Sequence, residues 1–251
     1  MKKLHGKNWL KKLIIKMPNY YRTKILTSIK SLEEISLVLK KGVDIIDFKD
    51  PSHGALGEIP RNKISFFLKS IPSNQLTSAT IGDIDDIKTI KKKVINLSKT
   101  NIDFIKVGLF FDNKKIKTLK NLKDLVKNKK IIAVLFADNK LSVKIIRKIK
   151  QARFDGVLID TKNKKNGNLR DYLNIKRLKN FIKASQKENL TIGLAGSLNI
   201  KDINPLLKLK PDYLGFRGAL CIEKKRKDNI SENLLNRVIS KFRFFSFQKA
   251  I

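Results

Sequence analysis

The sequence predicts an α/β protein folded as a TIM (β/α)8 barrel, and three observations lead there. From Lys24 onward, short β-branched runs alternate with lysine-rich amphipathic stretches, the pattern of βα units around a parallel sheet. Eight such units fit in about 230 residues, the usual scale of this barrel. No G-x-G-x-x-G follows the first run, which weighs against a doubly wound open sheet, the runner-up architecture. The barrel is assigned to residues 22 to 251, and residues 1 to 21 to a short basic N-terminal extension.

The predicted strands are "KILTSI" (24 to 29), "VDIIDF" (43 to 48), "LTSATI" (76 to 81), "DFIKVGL" (103 to 109), "IIAVLFA" (131 to 137), "GVLID" (156 to 160), "TIGLAG" (191 to 196) and "DYLGFR" (212 to 217). The first intervening helix, "SLEEISLVLKK" (31 to 41), opens on Ser31 with Glu34 three residues on, as a capping box does. Leu32, Ile35, Leu37, Val38 and Leu39 give it an apolar face near helical spacing. In the opening segment the apolar core "WLKKLII" is broken by lysines and is too short for a secretory signal. It reads as a surface extension, with a short membrane-surface helix as the alternative.

With 251 residues, 41 % of them hydrophobic, and only six prolines, the chain can bury a substantial core, and disorder is excluded. The formal charge of +34 favours anionic partners. Lysine far outnumbers arginine and is spread through nearly every segment, whereas a nucleic-acid site more often clusters arginine among exposed aromatics. The expected partner is therefore a small phosphorylated molecule, with a basic RNA- or DNA-binding protein as the alternative from another class. Homo-oligomerisation is left open. Cys221 is the only cysteine, so no internal disulfide can form, and a reducing, cytoplasmic location is expected. No apolar run approaches the roughly 20 residues that span a bilayer.

In such a barrel, reacting groups gather where strands end and βα loops begin. Alternation along "VDIIDFK" sends Ile45, Asp47 and Lys49 to one side and Ile46 and Phe48 to the other. If the apolar pair faces the helices, Asp47 and Lys49 project into the barrel mouth. Reading the same edge onward adds Ser78, Thr80, Asp83, Lys106, Asp138, Asp160, Gly196, Ser197, Arg217 and Gly218. Each is weak evidence alone, since Lys106 falls in a lysine-rich chain and Asp160 has the composition of a loop cap. Together, two lysines and two aspartates in one mouth point to acid/base or Schiff-base chemistry on a carbonyl compound. A free lysine titrates near about 10.4, but partial burial and a neighbouring ammonium favour a neutral amine, with Asp47 and Asp160 orienting the amines and moving protons.

The glycines of "GLAGSL" (193 to 198) and "GFRGAL" (215 to 220) let backbone N–H groups approach an anion that Arg217 could grip, so Gly196, Ser197, Arg217 and Gly218 are candidate phosphate-binding residues. Simple turn geometry is the competing reading of both glycines. His53, in a loop, is more often incidental, and Cys221 has no histidine base in evidence and reads as a packed thiol. No cluster has metal-ligand spacing, and no cofactor is expected.

Taken in order, "GVDIIDFKDPSHGALGEIP" (42 to 60), "SATIGDI" (78 to 84), "DFIKVGLF" (103 to 110), "LIDTKNKKNGNLRDYL" (158 to 173), "LAGSL" (194 to 198) and "DYLGFRGALC" (212 to 221) resemble the (5-formylfuran-3-yl)methyl phosphate synthase family. The likeness runs over roughly residues 22 to 240. It implies a TIM barrel that resembles a class I aldolase, a lyase condensing two glyceraldehyde 3-phosphate molecules with loss of phosphate and water. The product, 4-(hydroxymethyl)-2-furancarboxaldehyde phosphate, is a precursor of methanofuran and methylofuran cofactors. By that resemblance Lys49 is the Schiff-base lysine and Lys106 the proton-transfer lysine, while Asp47, Asp160 and Lys164 fall on active-site positions. A one-residue slip in "TKNKKNG" would move the last assignment to Lys162 or Lys165. Another aldolase or isomerase of phosphosugars is the alternative on the same barrel. Two departures stand out: His53, where the family varies, and "CIEKKRKDN" (221 to 229), more charged than the glycine-rich stretch expected there.

Overall fold

The computed structural model describes residues 22–110, 113–126, 128–164 and 166–248. The extension expected at 1 to 21 and the candidate Lys165 lie outside the described residues. Among those residues, parallel strands close into a barrel in chain order: β1 (Lys24–Ile29), β2 (Ile45–Phe48), β3 (Leu76–Thr80), β4 (Phe104–Gly108), β5 (Lys130–Phe136), β6 (Gly156–Asp160), β7 (Thr191–Leu194) and β8 (Tyr213–Phe216), the last pairing back to β1. Around it lie α1 (Leu32–Lys41), α2 (Arg61–Leu68), α3 (Ile87–Ser98), α4 (Leu122–Leu125), α5 (Ile145–Gln151), α6 (Leu169–Tyr172), α7 (Ile175–Lys187), α8 (Ile203–Leu207) and α9 (Glu232–Gln248). No helix of the described residues is long and apolar enough to cross a membrane.

Side-chain alternation sorts the core into two shells. Ile46, Phe48, Ile105, Val107 and Ile159 point outward and pack with Ile35, Val38 and Ile64 of the helices. Leu26, Ile45, Ile132, Leu158 and Tyr213 point inward and fill the barrel. Each such side chain contributes about 1.5–3 kcal/mol on full burial, which is what fixes the facing of every strand. The inner shell holds Tyr213 only because β7 offers Gly193 opposite it: a Cβ there would lie 2.1 Å from ring atoms of Tyr213.

Two local expectations change. The capping box of α1 forms only in part. Ser31 accepts from the Glu34 N–H at 3.5 Å, but the Glu34 carboxylate turns to the N–H of Lys30 at 2.8 Å and to Arg217. Strand β7 stops at Leu194 rather than Gly196, because the chain then enters the left-handed region at Gly196 (φ 103°) and Ser197 (φ 49°). A Cβ at Gly196 would also meet Thr161 Cγ2 at 2.9 Å, so the turn and the close approach both call for glycine.

The amino-terminal face is closed by a repeated device. Asp44, Asp103, Asp155 and Asp212 immediately precede β2, β4, β6 and β8. Their carboxylates accept the backbone N–H of Ile25, Thr77, Ile131 and Ile192 in the preceding strands, at 2.7 to 2.8 Å. At the opposite face, the Phe110 and Phe136 rings, 4.5 Å apart, cover the β4–β5 side together with Leu56. The remaining side opens into a cavity of about 300 Å³ bordered by β1, β2, β4, β6 and β8 and by the segment that follows β7.

Candidate active site

Three strand ends deliver the charged groups of this cavity. Asp47 and Lys49 come from the end of β2, Lys106 from β4 and Asp160 from β6, with 0, 7, 2 and 1 % of their surfaces exposed. Lys164 reaches in from the loop after β6. The parallel register explains the company Asp47 keeps: Ser28 and Ser78 stand beside it on the flanking strands, and each hydroxyl donates to its carboxylate at 2.7 Å. Lys106 completes the set with an ion pair of 2.5 Å to Asp47 Oδ1.

Asp160 anchors the second half. Its Oδ1 accepts the Thr161 N–H at 2.7 Å and pairs with the Lys164 ammonium, while Lys49 Nζ lies 3.8 Å from Oδ2. Lys49 thus sits between two buried carboxylates, Asp47 of its own strand and Asp160 across the barrel, and each is acted on by its charge.

Burial alone would raise both aspartates. At Asp47 the ammonium groups of Lys106 and Lys49, with the donors Lys106 and Ser78, outweigh it and hold the carboxyl below its ordinary range. At Asp160, Lys164, Lys49 and the Thr161 N–H do the same and bring it to about 2. For the lysines the balance is reversed. Burial lowers Lys106, Asp47 opposes this, and Lys49 adds to the lowering. Lys164 is brought to about 8 by burial, with Asp160 opposing and Lys49 and Arg226 assisting. Two carboxylates balance two ammonium groups, so among three amines one proton is held without a counter-charge. Lys106 and Lys164 therefore release a proton more readily than isolated lysines do.

The structure brings Asp47, Lys49, Lys106, Asp160 and Lys164 together, and it separates other candidates from them. Lys162 stacks over the Phe110 ring at 5.4 Å, so of the two described lysines in that loop Lys164 is the one at Asp160. Asp83 accepts the N–H groups of Ala55 and Leu56 at 2.8 and 2.7 Å, and Thr80 donates to the Gly57 carbonyl at 3.1 Å; both hold the loop after β2. Asp138 accepts from the N–H groups of Lys162 and Asn163 and secures the loop after β6. His53 is 71 % exposed beside Asp50. The Cys221 thiol is buried, raised by that burial, and donates to the Arg217 carbonyl oxygen.

Gly196, Ser197, Arg217 and Gly218 all border the cavity, but the expectation that the Arg217 side chain grips phosphate needs correction. Its guanidinium donates to Glu34, at 2.8 Å to each oxygen, and to the carbonyls of Ser28, Arg226 and Asp228. An arginine committed to a buried carboxylate and three carbonyls is a brace for its surroundings. Gly218 is sterically unconstrained, the nearest atom to an added Cβ being Lys224 O at 3.8 Å. Neither Ser28 nor Arg226 was among the residues expected at the site, yet both border the cavity. The inward parity of "KILTSI" carried the signal for Ser28, and the basic stretch 221 to 229 that for Arg226.

Comparison with known proteins adds an independent line. The model of the 4-HFC-P synthase family matches residues 25–239. A protein of Methanococcus aeolicus named (5-formylfuran-3-yl)methyl phosphate synthase is 32 % identical over 229 residues, covering 86 % of this chain and 97 % of its own. A protein of Methylorubrum extorquens given the same name provisionally is 33 % identical over 208 residues, covering 82 % of this chain and 86 % of its own. Among solved structures, phosphoribosyl anthranilate isomerase from Thermus thermophilus superposes with a TM-score of 0.65 at 12 % identity, covering 88 % of this chain and 99 % of its own, a likeness of fold.

Proposed function

Because the chain belongs to the 4-HFC-P synthase family, we propose that it condenses two molecules of glyceraldehyde 3-phosphate into (5-formylfuran-3-yl)methyl phosphate, releasing phosphate and water, through an iminium on Lys49. The observation that carries this reading is the grouping of three amines with two buried carboxylates at one barrel mouth, where Asp47 pairs with Lys106, Asp160 pairs with Lys164, and Lys49 makes the longest carboxylate contact of the three. An amine held by a short ion pair is a poor nucleophile, whereas one at 3.8 Å can turn toward a carbonyl carbon.

In the proposed sequence the Lys49 amine adds to the aldehyde of one triose phosphate, and water leaves as the iminium forms. The iminium withdraws electrons from the adjacent carbon, and Lys106 takes the proton from it, leaving an enamine. The enamine expels phosphate from the third carbon of this triose. That carbon, now the end of an enol, attacks the ketone carbon of the second triose phosphate after a proton shift has converted its aldehyde to the ketone isomer, forming the new carbon–carbon bond. The free primary hydroxyl of the second triose phosphate then closes the ring on the carbonyl beside the iminium, dehydration gives the furan, and hydrolysis of the iminium leaves the formyl group and frees Lys49. Asp47 holds Lys106 in place and steadies its charge when it carries the proton; Asp160 and Lys164 relay protons at the opposite side. Backbone of Gly196, Ser197 and Gly218 forms the cradle for one substrate phosphate. The net charge of +34 draws dianionic substrates toward the mouth. Such a reaction makes the protein a carbon–oxygen lyase acting on phosphates, in the synthesis of methanofuran-type cofactors.

The test is borohydride reduction in the presence of glyceraldehyde 3-phosphate, followed by peptide mass analysis. A substrate-derived mass on Lys49, alongside phosphate release and the absorbance of a conjugated furan aldehyde, is the expected result. A fully active protein without label at Lys49 refutes the scheme, and a labelled protein that yields no furan chromophore identifies a different phosphosugar aldolase.

A further inference from the structure

The loop from Cys221 to Ile230 crosses the carboxyl face of the barrel between β8 and α9, and its residues from 222 to 229 are exposed with one exception. Arg226 is partly buried, borders the cavity and donates to the Gly54 carbonyl at 3.3 Å, joining this loop to the one that follows Lys49. A loop of mostly charged residues has little apolar burial of its own to hold such a pose. The restraint comes from beneath it. Arg217 donates to the carbonyls of Arg226 at 2.8 Å and Asp228 at 2.6 Å, so it grips the loop backbone at and just beyond Arg226. Glu34 in turn holds Arg217 at 2.8 Å and accepts the Ile230 N–H at 3.2 Å, where the loop ends. Glu34 and Arg217 are 2 and 7 % exposed, and Arg217 also reaches the carbonyl of Ser28, whose hydroxyl serves Asp47.

We propose that Glu34 and Arg217 are a positioning pair for Arg226, and that the Arg226 guanidinium recognises a substrate phosphate at the open side of the cavity. A condensation of two phosphorylated trioses needs two anion sites, and the loops after β7 and β8 offer backbone for one; Arg226 supplies a side-chain site for the other. A guanidinium suits this role because it makes paired, charge-assisted bonds to phosphate oxygens. Burial lowers Arg226 from the ordinary arginine value and Asp160 opposes this, while Arg226 is among the groups that depress Lys164. A phosphate bound there would offset that depression and raise Lys164 toward the ordinary lysine range, coupling substrate arrival to the proton inventory of the site.

This inference rests on the reading that the substrate carries phosphate, so its test uses inorganic phosphate as the probe and needs no turnover. Phosphate is titrated against thermal unfolding of the wild-type chain, Arg226→Gln, Glu34→Gln and the double variant. Arg226→Gln is expected to weaken phosphate binding about tenfold, and Glu34→Gln about fivefold, with the double variant no weaker than Arg226→Gln alone. Losses that multiply in the double variant show that Glu34 acts independently of Arg226, and wild-type phosphate binding by Glu34→Gln shows that it serves only the fold; either overturns the pairing. Wild-type phosphate binding by Arg226→Gln, or no phosphate binding by the wild type, overturns the anion site. Should Glu34→Gln not fold, Arg217→Lys replaces it, since one ammonium cannot hold both loop carbonyls and Glu34 together. A protein that binds phosphate as described but never consumes glyceraldehyde 3-phosphate fails the functional reading and leaves this one standing.

Discussion

The two ends of the barrel use aspartate for opposite purposes. At the amino-terminal end Asp44, Asp103, Asp155 and Asp212 are half-buried, and each accepts a backbone N–H of a neighbouring strand, with Arg22 pairing to Asp44 and Lys123 to Asp155 from the rim. At the carboxyl-terminal end Asp47 and Asp160 are buried and face lysine ammonium groups. A carboxylate on a backbone donor near the surface gives up little hydration and secures the pairing of two strands. A buried ion pair loses most of its Coulomb gain to desolvation, so it adds little to stability, and its worth lies in holding amines ready for chemistry. The residue type is shared, and so are some partners, since Asp155 also meets a lysine and Asp160 also accepts a backbone N–H; the depth decides the task.

The sharpest way to break that comparison is Lys49→Arg. This change keeps the positive charge between Asp47 and Asp160 but removes the nucleophile, so turnover is expected to fall at least about a thousandfold. Melting should stay within a few degrees of wild type by calorimetry, and borohydride should no longer label position 49. An unfolded variant would mean that this end of the barrel serves stability after all.

Asp47→Asn comes next. It leaves the Lys106 amine, 2 % exposed, without its carboxylate. Furan formation should drop by about 10²–10⁴. The loss of stability in denaturant titrations should be greater at about pH 6 than at about pH 9, because an unpaired buried amine is tolerated once neutral. Equal destabilisation at both pH values would place the cost in lost hydrogen bonds.

At the other end, Asp103→Ala strips the acceptor from the N–H and hydroxyl of Thr77. It should cost about 1–3 kcal/mol in chemical denaturation and leave kcat per folded molecule unchanged. A kcat effect as large as that of Asp47→Asn would erase the division between the faces.

The smallest effect on stability is read on the acid limb. Asp160 is held at about 2 in the folded chain, below the ~3.9 of an unfolded aspartate. Its contribution to stability is complete above about pH 4 and is lost as pH falls toward about 2. Asp160→Asn should therefore flatten that limb of the stability profile. An acid limb identical to that of the wild type would show that Asp160 does not carry it.

Much of the fold lies in short-range pattern. β-branched runs separated by amphipathic stretches specify strands and helices locally, and a period of two along each strand separates Ile46 and Phe48 from Ile45, Asp47 and Lys49. The strand limits shift by only a residue or two, and at β7 the shift comes from positive φ at Gly196 and Ser197, a property of the turn that strand propensity does not encode. Asp47, Lys49, Lys106 and Asp160 were likewise readable, since a charge at the end of an apolar strand in a closed barrel has one mouth to face, whereas Lys164, in the loop after β6, was reached only through the family resemblance.

What stayed out of reach was the choice of partners. Asp47 pairs with Lys106 and Asp160 with Lys164, while Arg217 is claimed by Glu34, 183 residues away in the chain. The sequence by itself determined which strand-end residues face the barrel interior, because side-chain parity and burial are local and repeat along every strand. Only the tertiary structure decided which amine is bound tightly, which is left to react and which arginine braces a loop. Those outcomes depend on distances of a few ångströms between strands that meet only when the ring closes, where low dielectric makes each ångström count.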